Sequence, residues 1–218
     1  MILGIPTLCR YDLLAELIES VEKGTVRPSE YFIVDNGGQF VPDLARERIK
    51  VLSAGRNLGV SRSWNEILMY AHSSGEPAVI SNDDIVFNDT TFEELCSGLQ
   101  DPEAGVVNGH GWSLFGQTKM CTDKVGFYDE NFFPAYHEDC DYHWRMRLLD
   151  VKRLDVVTTP VAHVGSATLR SNPNLSPDSN WFQKGQMYYM RKWGGLPGKE
   201  QFREPFNGKP PNGWKNER

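Results

Sequence analysis

The apolar residues of the first hundred positions form short continuous runs that alternate with stretches of helical spacing. A continuous apolar run of about four to eight residues is typical of a buried strand, whereas apolar residues three and four apart indicate an amphipathic helix. The runs predict strands at Ile2–Pro6, Tyr31–Val34, Ile49–Leu52 and Ala78–Ile80. Helical spacing is shown by Leu13, Leu14, Leu17, Ile18 and Val21, and later by Trp64, Ile67, Leu68 and Ala71. This alternation predicts an α/β fold whose mainly parallel central sheet has helices on both faces.

The second half of the chain has a less regular pattern. It predicts strands at Gly105–Asn108, Trp112–Phe115 and Val151–Thr159, and helices at Thr91–Leu99, Asp139–Leu149 and Ser179–Trp193. Residues 194–218 contain five Gly and four Pro and few periodic apolar residues. We therefore expect one domain over residues 1–193, followed by a C-terminal extension at 194–218 that lies extended on the surface.

Composition and charge remove several classes of protein. Of 218 residues, 39% are hydrophobic and 24% are charged, which is ordinary for a globular protein and excludes collagen-like, coiled-coil and wholly disordered chains. With 23 Lys and Arg against 29 Asp and Glu, the net charge of −6 is unfavourable for binding a nucleic-acid backbone. No apolar run reaches the roughly 20 residues of a membrane span. The N-terminus lacks the basic segment of a signal peptide.

The four cysteines indicate a reducing compartment. Cys9, Cys96, Cys121 and Cys140 form no CxxC pair and no spacing typical of zinc or disulfide frameworks. Free thiols persist where glutathione keeps them reduced. We therefore expect a cytoplasmic protein.

Polar residues follow each of the first strands at the point where the strand ends. They are Pro6 and Thr7, then Asp35 and Asn36, then Asn57 and Gly59, and finally Asn82, Asp83 and Asp84. In an open parallel sheet, ligands bind at the carboxyl ends of the strands. One such cluster is ordinary turn chemistry, but four in succession indicate a binding site at this edge.

Two adjacent acids at the end of the fourth strand are candidate metal ligands. The chain has neither a GxGxxG nor a GK[ST] motif, so a phosphate ligand would need another source of positive charge. Asp83 and Asp84 can supply it by holding Mg²⁺ or Mn²⁺, which prefer carboxylate oxygens. The alternative is a solvated turn or a helix cap. His163, between apolar neighbours, is either a core histidine or a further ligand of the same ion.

A second acidic cluster lies at the predicted start of a later helix. Glu138, Asp139 and Asp141 follow an aromatic segment that contains Phe132, Phe133 and Tyr136. Helix capping would account for one or two of the acids, but three repel one another. A carboxylate beside aromatic rings that exclude water can be tuned to act as a general base.

These segments, in this order, resemble the GT-A-fold glycosyltransferases of family 2, a Rossmann-like fold, including rhamnosyltransferase-like members and viral capsid-glycosylating enzymes of chlorella viruses. The opening strand with Pro6, Thr7 and Arg10 is similar to the family's first strand. Val34-Asp35-Asn36-Gly37-Gly38 resembles its VDDGS turn, and Asn82-Asp83-Asp84 occupies its DXD position with Asn as first member. Gly126 to Phe133 followed by Glu138-Asp139-Cys140-Asp141 resembles the family's acceptor-side segment.

The resemblance implies an inverting, metal-dependent transfer of a sugar from a nucleotide diphosphate, with UDP as the default nucleotide, to a glycan or glycoprotein. Asp84 and His163 would hold Mn²⁺ or Mg²⁺, and Asp139 would be the base, with Glu138 as its competitor. The implied donor-binding residues are Pro6, Thr7, Arg10, Asp35, Asn57, Gly59, Asn65 and Asp83. Those implied for the acceptor are Phe133, Tyr136 and Asp141. Residues 1–100 would form the nucleotide-sugar half and residues 101–193 the acceptor half.

Two other functions fit some of the same residues. A nucleotidyltransferase shares nucleotide-binding α/β architecture and metal-binding acids, but such enzymes usually carry a Gly-rich basic loop after the first strand. Here that loop is Pro6-Thr7-Leu8-Cys9-Arg10, which has no glycine. A carbohydrate-binding module could use the six Trp and eight Tyr residues to stack on sugars, but it would not need acids at strand ends.

Overall fold

The computed structural model describes residues 1–42, 46–158, 160–163 and 180–214. Its strands are β1 Ile2–Thr7, β2 Glu30–Asp35, β3 Ile49–Ser53, β4 Ala78–Ser81, β5 Ile85–Val86, β6 Ala104–His110, β7 Leu114–Gln117, β8 Lys152–Asp155 and β9 Ala162–His163. Its α-helices are α1 Tyr11–Glu22, α2 Val60–Ser73, α3 Thr91–Gly98, α4 Lys119–Val125, α5 Glu138–Leu148 and α6 Trp181–Trp193. Each element expected from the sequence is present, with its ends displaced by a few residues. The expected ends at Thr159 and Ser179 lie outside the described residues.

Seven of these strands form one sheet in the order β3-β2-β1-β4-β7-β6-β8. Strands β1 to β4 are mutually parallel, and β8 is parallel to β6, which confirms the mainly parallel sheet. Strand β7 is antiparallel to both of its neighbours. The reason is local: β6 and β7 are joined by a short turn in which Gly111 has φ +59°, and so short a connection can only join antiparallel strands.

Hydrophobic residues cover both faces of the sheet, as the sequence pattern predicts. On one face, Leu3 and Ile5 of β1 pack in a cluster with the apolar side of α1. On the other, Ile2 of the same strand and Ile80 of β4 pack with the apolar side of α2. Because side chains alternate along a strand, each continuous apolar run supplies both cores.

The short elements β5, β9 and α4 were not expected, because two-residue strands and a seven-residue helix leave no readable periodicity. Strands β5 and β9 pair with each other outside the main sheet, with Ile85 opposite His163. This pairing joins the segment after β4 to a residue almost eighty positions later.

Helix α6 lies on the side of α5, where Phe132, Tyr189 and Trp193 form a third, smaller apolar cluster. After α6 the chain turns back, and the backbone N–H groups of Gln201 and Phe202 both donate to the Trp193 carbonyl. Phe206, in the turn Pro205–Gly208, is buried. The described part of the C-terminal extension thus packs against α6, whereas the domain boundary at residue 193 stays a prediction.

A candidate active site at the strand ends

A cavity of about 330 Å³ lies at the carboxyl ends of the parallel strands. Ten of the residues predicted for the site line it: Pro6, Thr7, Asn57, Gly59, Asp83, Asp84, Tyr136, Glu138, Asp139 and His163. They come from strand ends in the first half of the chain and from the start of α5 and β9 in the second. The fold thus brings the two acidic clusters, which are more than fifty positions apart, to one cavity.

Asp83 is held at the floor of this cavity by the neighbouring strand. The Thr7 hydroxyl, at the end of β1, donates to the Asp83 carboxylate over 2.7 Å, and both side chains are buried. Because β1 and β4 are adjacent and parallel, their carboxyl ends deliver these two residues to the same point. The hydrogen bond fixes the orientation of the carboxylate.

Asp84 and His163 come together through the pairing of β5 with β9. The His163 Nε2 atom lies 3.1 Å from Asp84 Oδ1. The two atoms are nevertheless not aligned as a hydrogen bond, since Nε2 is buried and has no hydrogen-bond partner among the described residues. An imidazole nitrogen and a carboxylate oxygen at this separation can both ligate one cation.

These residues fit a divalent cation that is bound jointly with a ligand. Asp84 and His163 supply one oxygen and one nitrogen, and no cluster of three or more His, Cys, Asp or Glu side chains able to hold a metal occurs among the described residues. Magnesium and manganese ions commonly take one or two protein side chains and complete their shell with water and substrate phosphate oxygens. Asp84 and His163 are therefore enough protein ligands for an ion whose remaining ligands are water and phosphate oxygens.

Asp35, at the end of β2, is buried and fully engaged. Its carboxylate accepts hydrogen bonds from the Tyr11 hydroxyl at 2.9 Å and from the backbone N–H groups of Gly37 and Phe40. Burial and the hydrogen bond to Asp35 raise the pKa of Tyr11 to about 12. Asp35 does not itself line the cavity, but the next residue, Asn36, does.

Asn36 replaces the second acid of the family turn and fixes the segment that follows β3. Its side-chain carbonyl accepts from the Leu58 backbone N–H at 2.7 Å, and its amide donates to the Ser63 hydroxyl at 3.1 Å. An aspartate here could accept the first hydrogen bond but could not donate the second. Asn36 thus holds Asn57 and Gly59 at the cavity wall.

Gly59 allows the loop at Pro134 to approach the segment after β3 closely. Its φ of +79° favours glycine, and a Cβ atom there would lie 2.9 Å from the Pro134 carbonyl oxygen. The adjacent Val60 N–H donates to that same carbonyl at 2.8 Å.

Asn65, further along α2, is bound to Tyr128 through both its side-chain amide and its side-chain carbonyl. Asn65 does not line the cavity and instead joins α2 to the segment at Tyr128.

The loop before α5 has a strained backbone. Tyr136 and His137 have φ values of +82° and +72°, a region that costs a residue other than glycine about 1–3 kcal/mol. Helix α6 packs tightly against this loop, since a Cβ at Gly185 would lie 2.7 Å from the Tyr136 carbonyl oxygen. The strained pair turns the chain so that Glu138 and Asp139, the first residues of α5, line the cavity.

The three acids of α5 occupy different environments. Glu138 lines the cavity and is only 6% exposed, and burial together with the charge of Asp139 raises its pKa to about 8. Asp139 also lines the cavity and accepts from the Cys140 backbone N–H at 2.7 Å. Asp141 is fully buried and does not line the cavity.

Asp141 belongs to a buried ion network that joins α5 to α6. Its carboxylate lies 2.6 Å from the Lys192 ammonium group and accepts from Arg145 at 2.9 Å and from the Trp193 indole at 2.8 Å. Lys192 also contacts Asp129 at 2.7 Å. Burial alone would raise the pKa of Asp141, but the charges of Lys192 and Arg145 outweigh it and lower the pKa.

Comparison with known proteins identifies the family. The model of glycosyl transferase family 2 matches residues 3–160. The chain belongs to glycosyl transferase family 2. A galactofuranosyl glycosyltransferase of Leishmania donovani is 32% identical over 79 residues, which cover 36% of this chain and 18% of that protein. The matched part of the chain thus spans about a fifth of this curated relative.

Solved structures of glycosyltransferases share the fold. GalNAc-T7, solved with UDP, GalNAc and Mn²⁺, has a TM-score of 0.66 at 12% identity, covering 88% of this chain and 47% of that one. The mannosyltransferase PcManGT of Pyrobaculum calidifontis, solved with GDP-Man and Mn²⁺, has a TM-score of 0.59 at 13% identity, covering 76% and 57% of the two chains. The similarity confirms the predicted GT-A fold.

Five residues assigned to the site by resemblance to family 2 do not line the cavity. Two of them, Asp35 and Asn65, are described above, and the other three are Arg10, Phe133 and Asp141. Arg10 pairs with Asp12 at 2.7 Å, and its pKa is raised chiefly by that hydrogen bond and further by Asp83 and Asp84, so it lies within electrostatic range of the cavity. Phe133 is half exposed, with its ring centroid 6.4 Å from that of Trp181. Asp141 lies in the ion network. Their predicted roles in ligand binding stay predictions.

The structure adds cavity residues of this family 2 chain that the sequence did not reveal. Trp112 and Ser113, in the turn between β6 and β7, line the cavity, as do Ser63 and Trp64 of α2. Trp112 packs against Trp64 with ring centroids 6.5 Å apart. No motif marks Trp112 in the sequence, because its position depends on the antiparallel pairing of β7 with β4.

Among the described residues, no helix is long and apolar enough to cross a membrane.

Proposed function

We propose that this chain transfers a sugar from a nucleotide diphosphate, with UDP as the expected nucleotide, to a hydroxyl group of a glycan or glycoprotein, with inversion at the anomeric carbon. One observation carries the proposal: a single cavity is lined by Asp83 and Asp84 from a strand end and by Asp139 from a helix start. Family membership and the Mn²⁺ complexes of the structural neighbours support it.

The donor would lie along the strand ends, in the half formed by residues 1–100. The cavity wall at Asn57 and Gly59, which Asn36 fixes through the Leu58 N–H, would receive the nucleoside, and Asp35 and Arg10 would contribute from outside the lining. Asp83, oriented by Thr7, would accept hydrogen bonds from hydroxyl groups of the ribose or the donor sugar.

Asp84 and His163 would hold Mn²⁺ or Mg²⁺ together with the diphosphate. When bound, the cation supplies positive charge that offsets the charge developing on the departing diphosphate. The two side chains contribute by fixing the place where the diphosphate oxygens lie, so that the anomeric carbon faces the opposite wall of the cavity.

Asp139 would accept the proton of the attacking acceptor hydroxyl. It lies at the start of α5 and lines the same cavity as the strand-end acids, and the strained loop at Tyr136 and His137 precedes it directly. Attack from the side opposite the leaving group forms the new glycosidic bond as the bond to the diphosphate breaks, which inverts the anomeric carbon. Within residues 101–193, Phe133 and Tyr136 would border the acceptor, and Asp141 would act on acceptor binding through the ion network that holds α5.

The experiment is a product assay with UDP-, GDP- and TDP-sugars, Mn²⁺ and a panel of glycan acceptors. We expect release of one nucleoside diphosphate that depends on the acceptor, together with a product of inverted anomeric configuration. Asp139→Asn should lower transfer by about 10² or more, whereas the control Asp123→Asn, at an exposed position of α4, should not. A retained configuration would exclude the single displacement. Formation of a nucleotide sugar from a nucleoside triphosphate and a sugar phosphate would indicate a nucleotidyltransferase instead.

A further inference from the structure

Two neighbouring carboxyl groups at the start of α5 line the same cavity but differ in their surroundings. Glu138 is 6% exposed, and its Oε2 atom is buried without a hydrogen-bond partner among the described residues. Asp139 is partly exposed, and its carboxylate accepts the Cys140 backbone N–H. Because Glu138 lines the cavity, a ligand bound there can supply the partner that this side chain lacks.

The charges around Glu138 disfavour a second carboxylate. Asp139 and Asp141 are its neighbours on α5, and Tyr136 and His137 precede it. The other titratable groups of the cavity are Asp83, Asp84 and His163. The cations of this region, Lys192 and Arg145, are engaged by Asp141, and no ion pair to Glu138 occurs within the described part of the chain. Burying an unpaired carboxylate among like charges is costly, so the neutral acid is favoured.

The position of Glu138 in the first helical turn acts in the opposite direction. The helix dipole and the nearby backbone N–H groups favour the ionised form. They act on both Glu138 and Asp139, so they do not by themselves decide which of the two carries the charge. Burial decides which of the two carboxyl groups keeps its proton, because Glu138 is buried and Asp139 is only partly buried.

We propose that Glu138 is a protonated carboxylic acid at neutral pH and that its O–H group donates a hydrogen bond to an oxygen atom of the acceptor sugar, beside the base Asp139. The elevated pKa of Glu138, about 8, agrees with this assignment. The inference rests on the proposed function for the identity of the ligand, but not for the protonation state. The proton stays on Glu138 throughout, while Asp139 takes the proton of the attacking hydroxyl.

The arrangement divides two roles between adjacent acids. A neutral acid both donates and accepts hydrogen bonds, which suits the hydroxyl and ether oxygens of a sugar, whereas a carboxylate only accepts. Keeping Glu138 neutral also leaves a single negative charge at the point where the acceptor hydroxyl is deprotonated. Glu138 thus selects and orients the acceptor, and Asp139 activates it.

The first test measures protonation in the ligand-free protein and needs no activity. Infrared difference spectra between wild type and Glu138→Gln should show one protonated carboxyl band at pH 7 that disappears by about pH 10. Absence of that band at pH 7 would overturn the proposal whatever the protein transfers. Because no substrate is present, this result is independent of the proposed function.

The second test compares three variants by acceptor kinetics. Glu138→Met should raise the acceptor KM by about tenfold or more, and Glu138→Gln, which keeps a hydrogen-bond donor, should recover most of that loss. Donor affinity, measured separately, should be unchanged in both. Asp139→Asn serves as the comparison and should lose kcat. A Glu138→Gln variant as inactive as Asp139→Asn, or a Glu138→Met variant with wild-type acceptor KM, would overturn the proposal.

Discussion

Replacing Lys192 by Met tests whether the buried ion network holds α6 on α5. The Lys192 side chain is 2% exposed, and its ammonium group lies 2.7 Å from Asp129 and 2.6 Å from Asp141. Methionine keeps the apolar stem but removes the ammonium charge, which lies 5.7 Å and 5.4 Å from the ring centroids of Phe132 and Trp193. Two buried carboxylates would then share Arg145 as the remaining cation of the network.

The expected cost follows from burial. Removing one partner of a buried ion pair costs about 3–5 kcal/mol, since the remaining charge is left without compensation. For a domain of this size each kcal/mol lowers the melting temperature by roughly 2–4 °C, so the variant should melt about 6–20 °C below wild type. The measurement is thermal and urea unfolding followed by circular dichroism.

Lys119→Met provides the matched control. Lys119 also contacts a carboxylate, that of Asp123, at 2.7 Å, but its side chain is 51% exposed. An exposed pair of this kind is worth about 0.3–0.5 kcal/mol, so the control should melt within a degree or two of wild type. If the two variants were equally stable, burial would not set the value of the Lys192 contacts, and the reasoning about α6 would fail.

Three further predictions concern residues around the cavity. Asp139→Asn should lower kcat by about 10² or more while leaving donor binding intact, because it removes the base and keeps the shape; steady-state kinetics with donor titrations check this, and an unchanged kcat would refute it. Glu138→Gln should be more stable than wild type at pH 9 by roughly a few kcal/mol, but not at pH 4. The pKa of Glu138 is raised to about 8 in the folded protein, so wild type loses stability as the pH rises from the unfolded-state pKa through 8. Urea titrations at both pH values measure the difference. Gly185→Ala should lower the melting temperature, although alanine favours helices, because its Cβ would meet the Tyr136 carbonyl oxygen; a raised melting temperature would contradict the close packing of α6.

The strand ends were predictable from sequence because two simple patterns coincide there. Continuous apolar runs fix the strands of a parallel sheet, and the carboxyl ends of such strands share one edge. Asp83 and Asp84 could therefore be placed in a site from a single apolar run and the acids after it. Glu138 and Asp139 were placed by their density and their aromatic neighbours, and both line the cavity.

The surroundings that sequence reasoning could not predict depend on long-range pairing. Asp141 has the same local signature as Asp139 but faces a lysine from a helix fifty positions later. Asn65 fits the family pattern, yet its amide is used by Tyr128. Trp112 enters the cavity only because β7 runs antiparallel to β4. Local periodicity carries no information on such partners, which tertiary packing alone selects.

The central claim is that the cavity binds a nucleoside diphosphate through a divalent cation held by Asp84 and His163. Isothermal titration of UDP, GDP and TDP, each with Mn²⁺ and with EDTA, tests it most directly. We expect at least one nucleotide to bind tenfold or more tightly with Mn²⁺, and we expect Asp84→Asn, but not Asp123→Asn, to remove this difference. Equal affinity in Mn²⁺ and EDTA, or a metal dependence that survives Asp84→Asn, would contradict it.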